Sequence, residues 1–221
     1  DTGLANIFIM DLDVLAAYAT AAFEGKKAGI KLGLRAENTF LYTRLENTKE
    51  TNRQSYLDLF PSAHTSYKFT PTLSLQAGYS RRIYRPGLWE LNPFFSIQNN
   101  FNIEMVNPLL TPEYTDSYEI TGIYDFHAIS INLGAYHRFT THAIEDISTV
   151  ENNVRITLPA NIGTRRTNGL ELNAKYTPGN RLSLSTDLNY NFFTRNGTYE
   201  NTTYAFRADQ FTGRLTSKLK L

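Results

Sequence analysis

The sequence predicts an all-β fold, an antiparallel barrel segment of about nine strands. Three observations predict it. Apolar and polar residues alternate with a period of two in segment after segment, short and long connections alternate between those segments, and aromatic residues gather toward the segment ends. A period of two places successive side chains on opposite faces of a strand. Helical periodicity is hard to find except in the Ala-rich stretch 12–23, which reads equally as a strand.

The clearest strands show the alternation directly. In the segment 128–139, Ile129 and Ile131 are apolar, whereas Ser130 and Asn132 between them are polar. The same pattern recurs in "AGIKLGLRAE" (28–37), "TLSLQAGYSRRI" (72–83), "YTDSYEITGIYDF" (114–126), "NGLELNAKYTP" (168–178) and "LSLSTDLNYNFF" (182–193). Each segment therefore predicts a strand with one apolar face and one polar face.

The connections between these strands fall into two alternating classes. Short turns are predicted at 24–27, 69–72, 125–128 and 177–180, and longer polar links near 47–53, 85–113, 141–166 and 196–203. A simple meander of hairpins does not require this asymmetry. Transmembrane β-barrels show it, with short periplasmic turns and long extracellular loops. Phe69, Phe126 and Tyr176 each lie beside a short turn, as an aromatic girdle at one membrane interface requires.

Alternation alone leaves two architectures open, a transmembrane barrel and a soluble sandwich or lipocalin-like barrel. The polar faces carry charged residues such as Lys31, Glu119, Glu171 and Asp187. These suit a water-filled or plugged lumen better than a packed core, where unpaired charges are costly. Small residues on the polar faces and strands of about 10 to 14 residues favour the membrane form.

The composition excludes several classes of protein. Lys and Arg total 22 against 21 Asp and Glu, so the chain offers no electrostatic case for nucleic acid as a partner. The absence of cysteine excludes disulfides and thiolate metal sites. No run of 18 apolar residues predicts a transmembrane helix, and "DTGLANIFIMDLD" does not read as a signal peptide. If the protein is exported, we expect this chain to be its mature or internal part.

Motifs for catalysis and metal binding are weak. The four histidines, His64, His127, His137 and His142, show no metal-ligand spacing, and no nucleophile elbow is present. His142 with Glu145 or Asp146 is the nearest candidate for an outer-membrane hydrolase site. We therefore expect no catalytic residues, no metal site and no cofactor, and the chain is not expected to be an enzyme.

The longest connection resembles a known pattern. "YSRRIYRPGLWELNPFF" (79–95), followed by "VNPLLTPEYTDSYEIT" (106–121), resembles the barrel of TonB-dependent outer-membrane receptors, and more narrowly the outer membrane protein beta-barrel family. The resemblance covers essentially the whole chain. One departure is Val106, where the family more often has Gly before Asn-Pro, which alters the expected turn.

The resemblance implies a receptor in the bacterial outer membrane whose lumen is closed by an N-terminal plug and which is driven by TonB. The expected cargo is a large nutrient, an iron chelate or an oligosaccharide. Such transporters have 22 strands, so residues 1–221 are expected to be part of a single β-barrel domain, a fragment without the plug and the last barrel strands. Expected partners are outer-membrane lipid and lipopolysaccharide, the TonB complex through the plug, and a surface lipoprotein. The alternatives are a passive porin or adhesin barrel and, less favoured, a barrel enzyme.

The long connection also holds the candidate ligand contacts. These are Arg82, Arg85, Trp89, Asn92, Phe94 and Phe95. Its four prolines predict a stiff, ordered loop. Two interpretations of this connection are open. Either it folds down over the barrel as a structural lid, or it captures ligand at Trp89 or Arg85. The pairs Arg81-Arg82 and Arg165-Arg166 are expected to contact lipopolysaccharide or to form lumen ion pairs with Glu119 or Glu171, with an anionic ligand as the alternative.

Overall fold

The computed structural model describes residues 7–92, 96–99, 101–200 and 202–219. Nine long strands and a small insertion make up the described chain. The elements are β1 (Phe8–Glu24), β2 (Ala28–Leu45), β3 (Thr51–Lys68), β4 (Leu73–Tyr84), α1 (Leu88–Leu91), β5 (Ser96–Asn99), β6 (Asn102–Glu104), β7 (Glu113–Phe126), β8 (Ile129–Glu151), β9 (Val154–Tyr176), β10 (Leu182–Tyr199) and β11 (Thr202–Leu219). Among the described residues, no helix is long and apolar enough to cross a bilayer.

The nine long strands form one antiparallel sheet in the order β1-β2-β3-β4-β7-β8-β9-β10-β11. The predicted fold class and strand number are therefore confirmed, and the ambiguous stretch 12–23 lies within strand β1. Each strand pairs with its neighbour in the chain, while the short strands β5 and β6 lie off this path. Within the described chain the sheet is open, because β1 and β11 are each paired on one side only.

The connections at one end of the sheet are all short, as predicted. At the other end, the residue ranges of the connections differ from the prediction. At the turn end, the strands are joined by residues 25–27, 69–72, 127–128 and 177–181. At the opposite, loop end, most of the predicted link 141–166 is strand, because β8 and β9 each continue for 23 residues. They are closed by Asn152 and Asn153, whose φ angles of 50° and 65° fit the tight hairpin turn that favours Asn. Most of the long strands are thus longer than predicted, whereas β4 and β7, with 12 and 14 residues, lie within the predicted range.

One face of the sheet is lined by apolar residues in register. A single row across six strands holds Ala77, Ile120, Ala135, Leu170, Tyr190 and Phe211. Ile120, Leu170 and Phe211 remain 47%, 56% and 65% exposed. A contiguous apolar surface of this extent requires a partner other than water. This face, called the outer face, is the one suited to contact lipid.

The opposite, inner face carries a polar row at a neighbouring level. It consists of Lys31, His64, Gly78, Glu119, Tyr136, Gly169, Asn191 and Gln210. The Tyr136 ring lies over Gly169, where a β-carbon would overlap it. Beside this pair, Asn189 Nδ2 donates to Glu171 Oε1 at 3.0 Å. The inner face therefore carries hydrogen-bonded polar groups, as the polar alternation predicted.

Aromatic side chains lie at the turn end of the sheet. Phe69, Phe126 and Tyr176 are all exposed, as a girdle facing lipid would be. Tyr67 packs edge-on against Phe69 with their ring centroids 4.9 Å apart, and Tyr124 stacks near Phe126. The placement expected from the sequence is therefore present.

Candidate functional site

The sheet has a notch at its loop end because strands β4 and β7 stop short. The β2–β3 pairing continues to Thr51, but β3 pairs with β4 only between the pairs Ser62–Ser80 and Lys68–Ser74. Residues 85–112 connect β4 to β7 across this notch. We call this segment the strap. Its described part contains α1, β5 and β6, where the sequence predicted a stiff, ordered loop.

On one side, the strap is anchored to strand β3. The Asn52 side-chain amide donates to the carbonyl of Pro108 at 2.9 Å. The Gln54 amide donates to the carbonyl of Leu110 at 3.5 Å. These bonds satisfy backbone carbonyls of a segment that lacks a sheet partner there.

On the other side, the strap is anchored to strand β9. The Asn161 side chain makes the central contacts: its Oδ1 accepts from the Thr111 N–H at 2.8 Å, and its Nδ2 donates to the carbonyls of Thr111 and His142, each at 2.8 Å. The Asn107 amide donates to the carbonyl of Pro159 at 3.1 Å. Strand β6 also pairs with β9 in parallel. The strap is therefore held at both walls of the notch.

A small apolar core fixes the strap against the sheet. Leu91 of α1 and Leu110 are 0% and 1% exposed, and both pack on Leu41 of β2. Helix α1 is short, and the Glu90 side chain caps its N-terminus. The Glu90 carboxylate accepts from the Gly87 N–H at 2.8 Å and from the Tyr84 hydroxyl. Burial of two leucines stabilises this packing by roughly 1.5–3 kcal/mol for each side chain.

Arg85 is the charged anchor of the strap. One of its terminal nitrogens donates to Glu37 at 2.5 Å and to Thr39 at 3.0 Å, and its guanidinium lies 5.9 Å from the Tyr56 ring centroid. Burial lowers the pKa of Arg85, but the hydrogen bonds with Glu37 and Tyr56 outweigh it, so the pKa is raised. The guanidinium, a candidate ligand contact from the sequence, is thus occupied by a contact within the protein.

Trp89 lies beside a cavity at the loop end of the inner face. The side chain is 82% exposed. The cavity has a volume of about 670 Å³, and we call it the rim cavity. The strap lines it with Trp89, Glu90, Glu104, Met105 and Val106, and the sheet lines it with Tyr84, Glu113, Ile144, Glu145, Asp146, Thr157, Pro159, Arg165 and Arg195. Exposed aromatic surface beside convergent polar groups is typical of a ligand site.

Two ion pairs lie on the wall of the rim cavity. Arg165 pairs with Glu113 at 3.0 Å, and Glu113 also accepts from the Ile144 N–H at 2.6 Å. Arg195 pairs with Glu145 at 2.8 Å. Each pair leaves further donor and acceptor positions for a polar ligand. Sequence reasoning missed two of these four residues, Glu113 and Arg195. Arg165 and Glu145 were singled out, but Arg165 for other partners and Glu145 for a hydrolase site with His142.

The prediction of partners for the arginine pairs therefore needs a correction. Arg165 was expected to pair with Glu119 or Glu171, but it pairs with Glu113. The reason is register: Arg165 lies opposite Thr140, which lies opposite Thr115, so Glu113 is the nearest carboxylate on the same face of β7. Arg81 lies 3.9 Å from Asp116.

The remaining candidate ligand contacts do not gather at one point. Arg82 is exposed near the end of β4 and lies opposite Thr115. Asn92 ends helix α1, where its N–H donates to the Leu88 carbonyl at 3.0 Å. Phe94 and Phe95 lie outside the described residues. Of the described members of the predicted set, Trp89 alone lines the rim cavity.

The histidines take part in local packing. His142 has a left-handed φ of 53° at an irregularity in the β8–β9 register, and its ring lies 6.1 Å from the Tyr114 ring. His137 Nδ1 lies 2.8 Å from Asn168 Oδ1. In the described ranges, no group of three or more His, Cys, Asp or Glu residues has the arrangement of a metal site.

Comparisons with known proteins agree with this architecture. The profile of the outer membrane protein beta-barrel family matches residues 1–221. No curated protein matches the chain in sequence. Among solved structures, the copper transporter OprC is similar over 91% of this chain and 39% of its own, with 13% identity and a TM-score of 0.66.

Two further solved structures share the fold. The FrpB iron transporter from Neisseria meningitidis is similar over 88% of this chain and 32% of its own, with 14% identity and a TM-score of 0.57. The siderophore receptor PirA from Pseudomonas aeruginosa is similar over 95% of this chain and 50% of its own, with 12% identity and a TM-score of 0.57. The chain thus spans half or less of each of these structures.

Proposed function

The chain belongs to the outer membrane protein beta-barrel family, and from this premise we propose that it forms part of the wall of a TonB-dependent transporter for a large nutrient. The strap carries this proposal. It is tied to both walls of the notch and packs a buried core inward, so the loop end of the barrel is partly covered. A covered, plugged barrel needs energy to pass a ligand, whereas a passive porin needs an open channel.

In the proposed mechanism, the sheet and the strap are a rigid frame and the rim cavity captures the ligand. Arg85 holds the strap to β2, while Trp89 presents its ring for stacking. The Glu113–Arg165 and Glu145–Arg195 pairs supply charged edges that hydrogen-bond a polar ligand. The cargo is an iron chelate or an oligosaccharide.

We also propose that the nine strands are one part of a larger barrel. In the part of the chain that the structure describes, the outermost strands β1 and β11 each have an unpaired edge, and an open edge in a bilayer is costly. Further strands of the same barrel would pair with these edges, and a plug would fill the lumen and contact TonB. Outer-membrane lipid surrounds the outer face, and a surface lipoprotein is a further proposed partner.

The proposal is tested by transport in cells that produce the full-length protein. The receptor gene is deleted, and growth is compared on ferric chelates as sole iron source and on oligosaccharides as sole carbon source. A substrate whose use depends on the receptor is then supplied to cells lacking TonB. We expect its uptake to be lost. Uptake that is independent of TonB would contradict the proposal and support a passive porin.

A second measurement tests the site. Trp89→Ala is expected to lower the uptake rate at limiting substrate by about tenfold, since loss of a stacking contact of about 1–1.5 kcal/mol weakens binding by that factor. Trp89→Phe keeps an aromatic face and is the matched control, with most of the uptake retained. Unchanged uptake in Trp89→Ala would place ligand capture elsewhere.

A further inference from the structure

Strand β3 lies inside the sheet but lacks a partner along part of one side. Its pairing with β2 is unbroken over residues 51–67. Its pairing with β4 covers residues 62–68 only. In the part of the chain that the structure describes, residues 51–61 thus have no strand beside them on the β4 side. We call this stretch the open edge.

Hydrogen bonds at the turn end show which backbone groups face the open edge. The Lys68 N–H donates to the Lys27 carbonyl at 2.7 Å, toward β2, and the Phe69 N–H donates to the Leu73 carbonyl at 3.0 Å, toward β4. In an antiparallel sheet, successive residues direct their N–H and C=O groups to opposite sides. The odd-numbered residues of β3 therefore face β4 and, farther along, the open edge. At the open edge these are Thr51, Arg53, Ser55, Leu57, Leu59 and Pro61.

Pro61 explains where the pairing with β4 stops. In the β3–β4 register, the next bonded pair would place Pro61 opposite Arg81. Proline has no N–H, so β3 cannot donate the bond that would continue the ladder. Strand β4 itself ends at Tyr84, which the same register would place opposite Asp58. Residues 53–57 of β3 therefore lie beyond the end of β4.

Neither further barrel strands nor the described part of the strap pairs with the open edge. Additional strands of a larger barrel would pair with β1 and β11, whereas β3 already lies between β2 and β4. The strap contacts β3 through the side chains of Asn52 and Gln54, even-numbered residues whose backbone groups face β2. Its strand β6 pairs with β9, and β5 pairs with β6. The backbone groups of the open edge are thus left for another strand.

The open edge also lacks the features that usually block an exposed strand edge. Lysine, proline or a bulge commonly prevents the addition of a strand. Between Gln54 and Phe60 there is no lysine and no proline, and the register with β2 has no bulge. Leu57 and Leu59 are 69% and 54% exposed. An unblocked edge with exposed apolar side chains favours pairing with an added strand.

We propose that the open edge binds an extended peptide as an added strand. The N–H and C=O groups of Ser55 and Leu57 would hold the peptide main chain, and alternate side chains would give selectivity. Leu57 and Leu59 lie on the outer face, so apolar peptide side chains would pack beside them. The intervening peptide side chains would lie on the inner face, near Tyr56 and Asp58, and would be polar. The ligand is therefore a peptide in which apolar and polar residues alternate.

This inference goes beyond the proposed transport function and uses neither the rim cavity nor the anchors of the strap. Because the open edge lies at the loop end, the peptide would arrive from outside the cell. A loop of the full-length receptor that covers the same edge is the competing occupant, and it would prevent the peptide from binding.

The test measures binding of a fluorescent peptide of alternating valine and threonine to the purified full-length receptor in detergent. We expect saturable binding to the wild type. Leu57→Ala keeps the N–H and is the matched control, with an affinity within about fivefold of the wild type. Leu57→Pro removes an N–H that faces the open edge and none that faces β2. It should bind at least tenfold more weakly than Leu57→Ala, because a peptide carbonyl loses its donor.

A second probe tests the main-chain bonds on the wild-type receptor. The same peptide with a methyl group on every backbone nitrogen keeps its side chains but has no backbone N–H, and it should bind at least tenfold more weakly. This comparison decides the question if heat-modifiable gel mobility shows that Leu57→Pro does not fold. Three results would overturn the proposal: no saturable binding to the wild type, equal binding to Leu57→Pro and Leu57→Ala, and equal binding of the methylated peptide.

Discussion

Glu37 shows how a single buried charge positions the strap. It lies on the inner face of β2, is 4% exposed, and is held by Arg35 at 2.6 Å and by Arg85 at 2.5 Å. Arg35 is on the same strand, whereas Arg85 comes from the strap. A buried carboxylate without sufficient donors is costly. The cost of leaving Glu37 under-paired therefore favours the docked strap.

Substitution of Arg85 is expected to loosen the strap. Arg85→Ala leaves Glu37 buried with Arg35 as its remaining charged partner, and we expect the free energy of unfolding to fall by about 2–3 kcal/mol. The measurement is urea unfolding of the full-length protein in detergent. Lys49→Ala is the control, because the Lys49–Glu46 pair is exposed and its loss should have no measurable effect. Equal stability of Arg85→Ala and Lys49→Ala would contradict this role.

At the scale of the element, Asn161 couples the strap to strand β9. It bonds both the N–H and the carbonyl of Thr111 and also the carbonyl at the irregular residue His142. Asn161→Ala removes all three bonds while β9 keeps its backbone pairing. We expect faster limited proteolysis within the strap, with the strands still resistant. Asn173→Ala, in β9 but away from the strap, is the control, and equal cleavage rates in the two variants would contradict the coupling.

A tyrosine of strand β8 packs over a glycine of strand β9. A methyl group on Gly169 would overlap the Tyr136 ring. Gly169→Ala is therefore expected to destabilise the protein by about 1–3 kcal/mol through overpacking. In a Tyr136→Ala background the same change should cost clearly less, since the overlapping ring is gone. Urea unfolding of the two single variants and the double variant measures this coupling. Additive effects would contradict it.

At the scale of the whole molecule, the lipid-facing strands are predictable from the sequence and the loop end is less so. Where lipid covers one face, apolar and polar residues must alternate, so Leu73 or Ile129 marks a strand directly. Beyond the lipid both faces of a strand contact water, so apolar and polar residues no longer need to alternate. Residues 141–166 therefore read as a polar link, although they continue β8 and β9.

The course of the strap was not predictable for a different reason. Its anchors bond backbone carbonyls of Pro108, Leu110 and Pro159, each more than 50 positions away in the chain. Every residue has a backbone carbonyl, so the residue types in the sequence do not show which carbonyl a distant side chain will bond. The partner of Arg165 likewise depends on a register that the sequence does not show. Trp89 could be recognised as a candidate ligand contact, because it lies among prolines and asparagines in a segment whose sequence shows no strand pattern.

The central claim is that the chain crosses the outer membrane with the strap and the long hairpins outside. The chain contains no cysteine, so single cysteines report position cleanly. Glu151→Cys lies at the loop end, and Gly179→Cys lies at the turn end, where a β-carbon meets no other atom. A membrane-impermeant maleimide on intact cells should label Glu151→Cys and should label Gly179→Cys only after the outer membrane is permeabilised. The reverse pattern, or labelling of both in intact cells, would contradict the account.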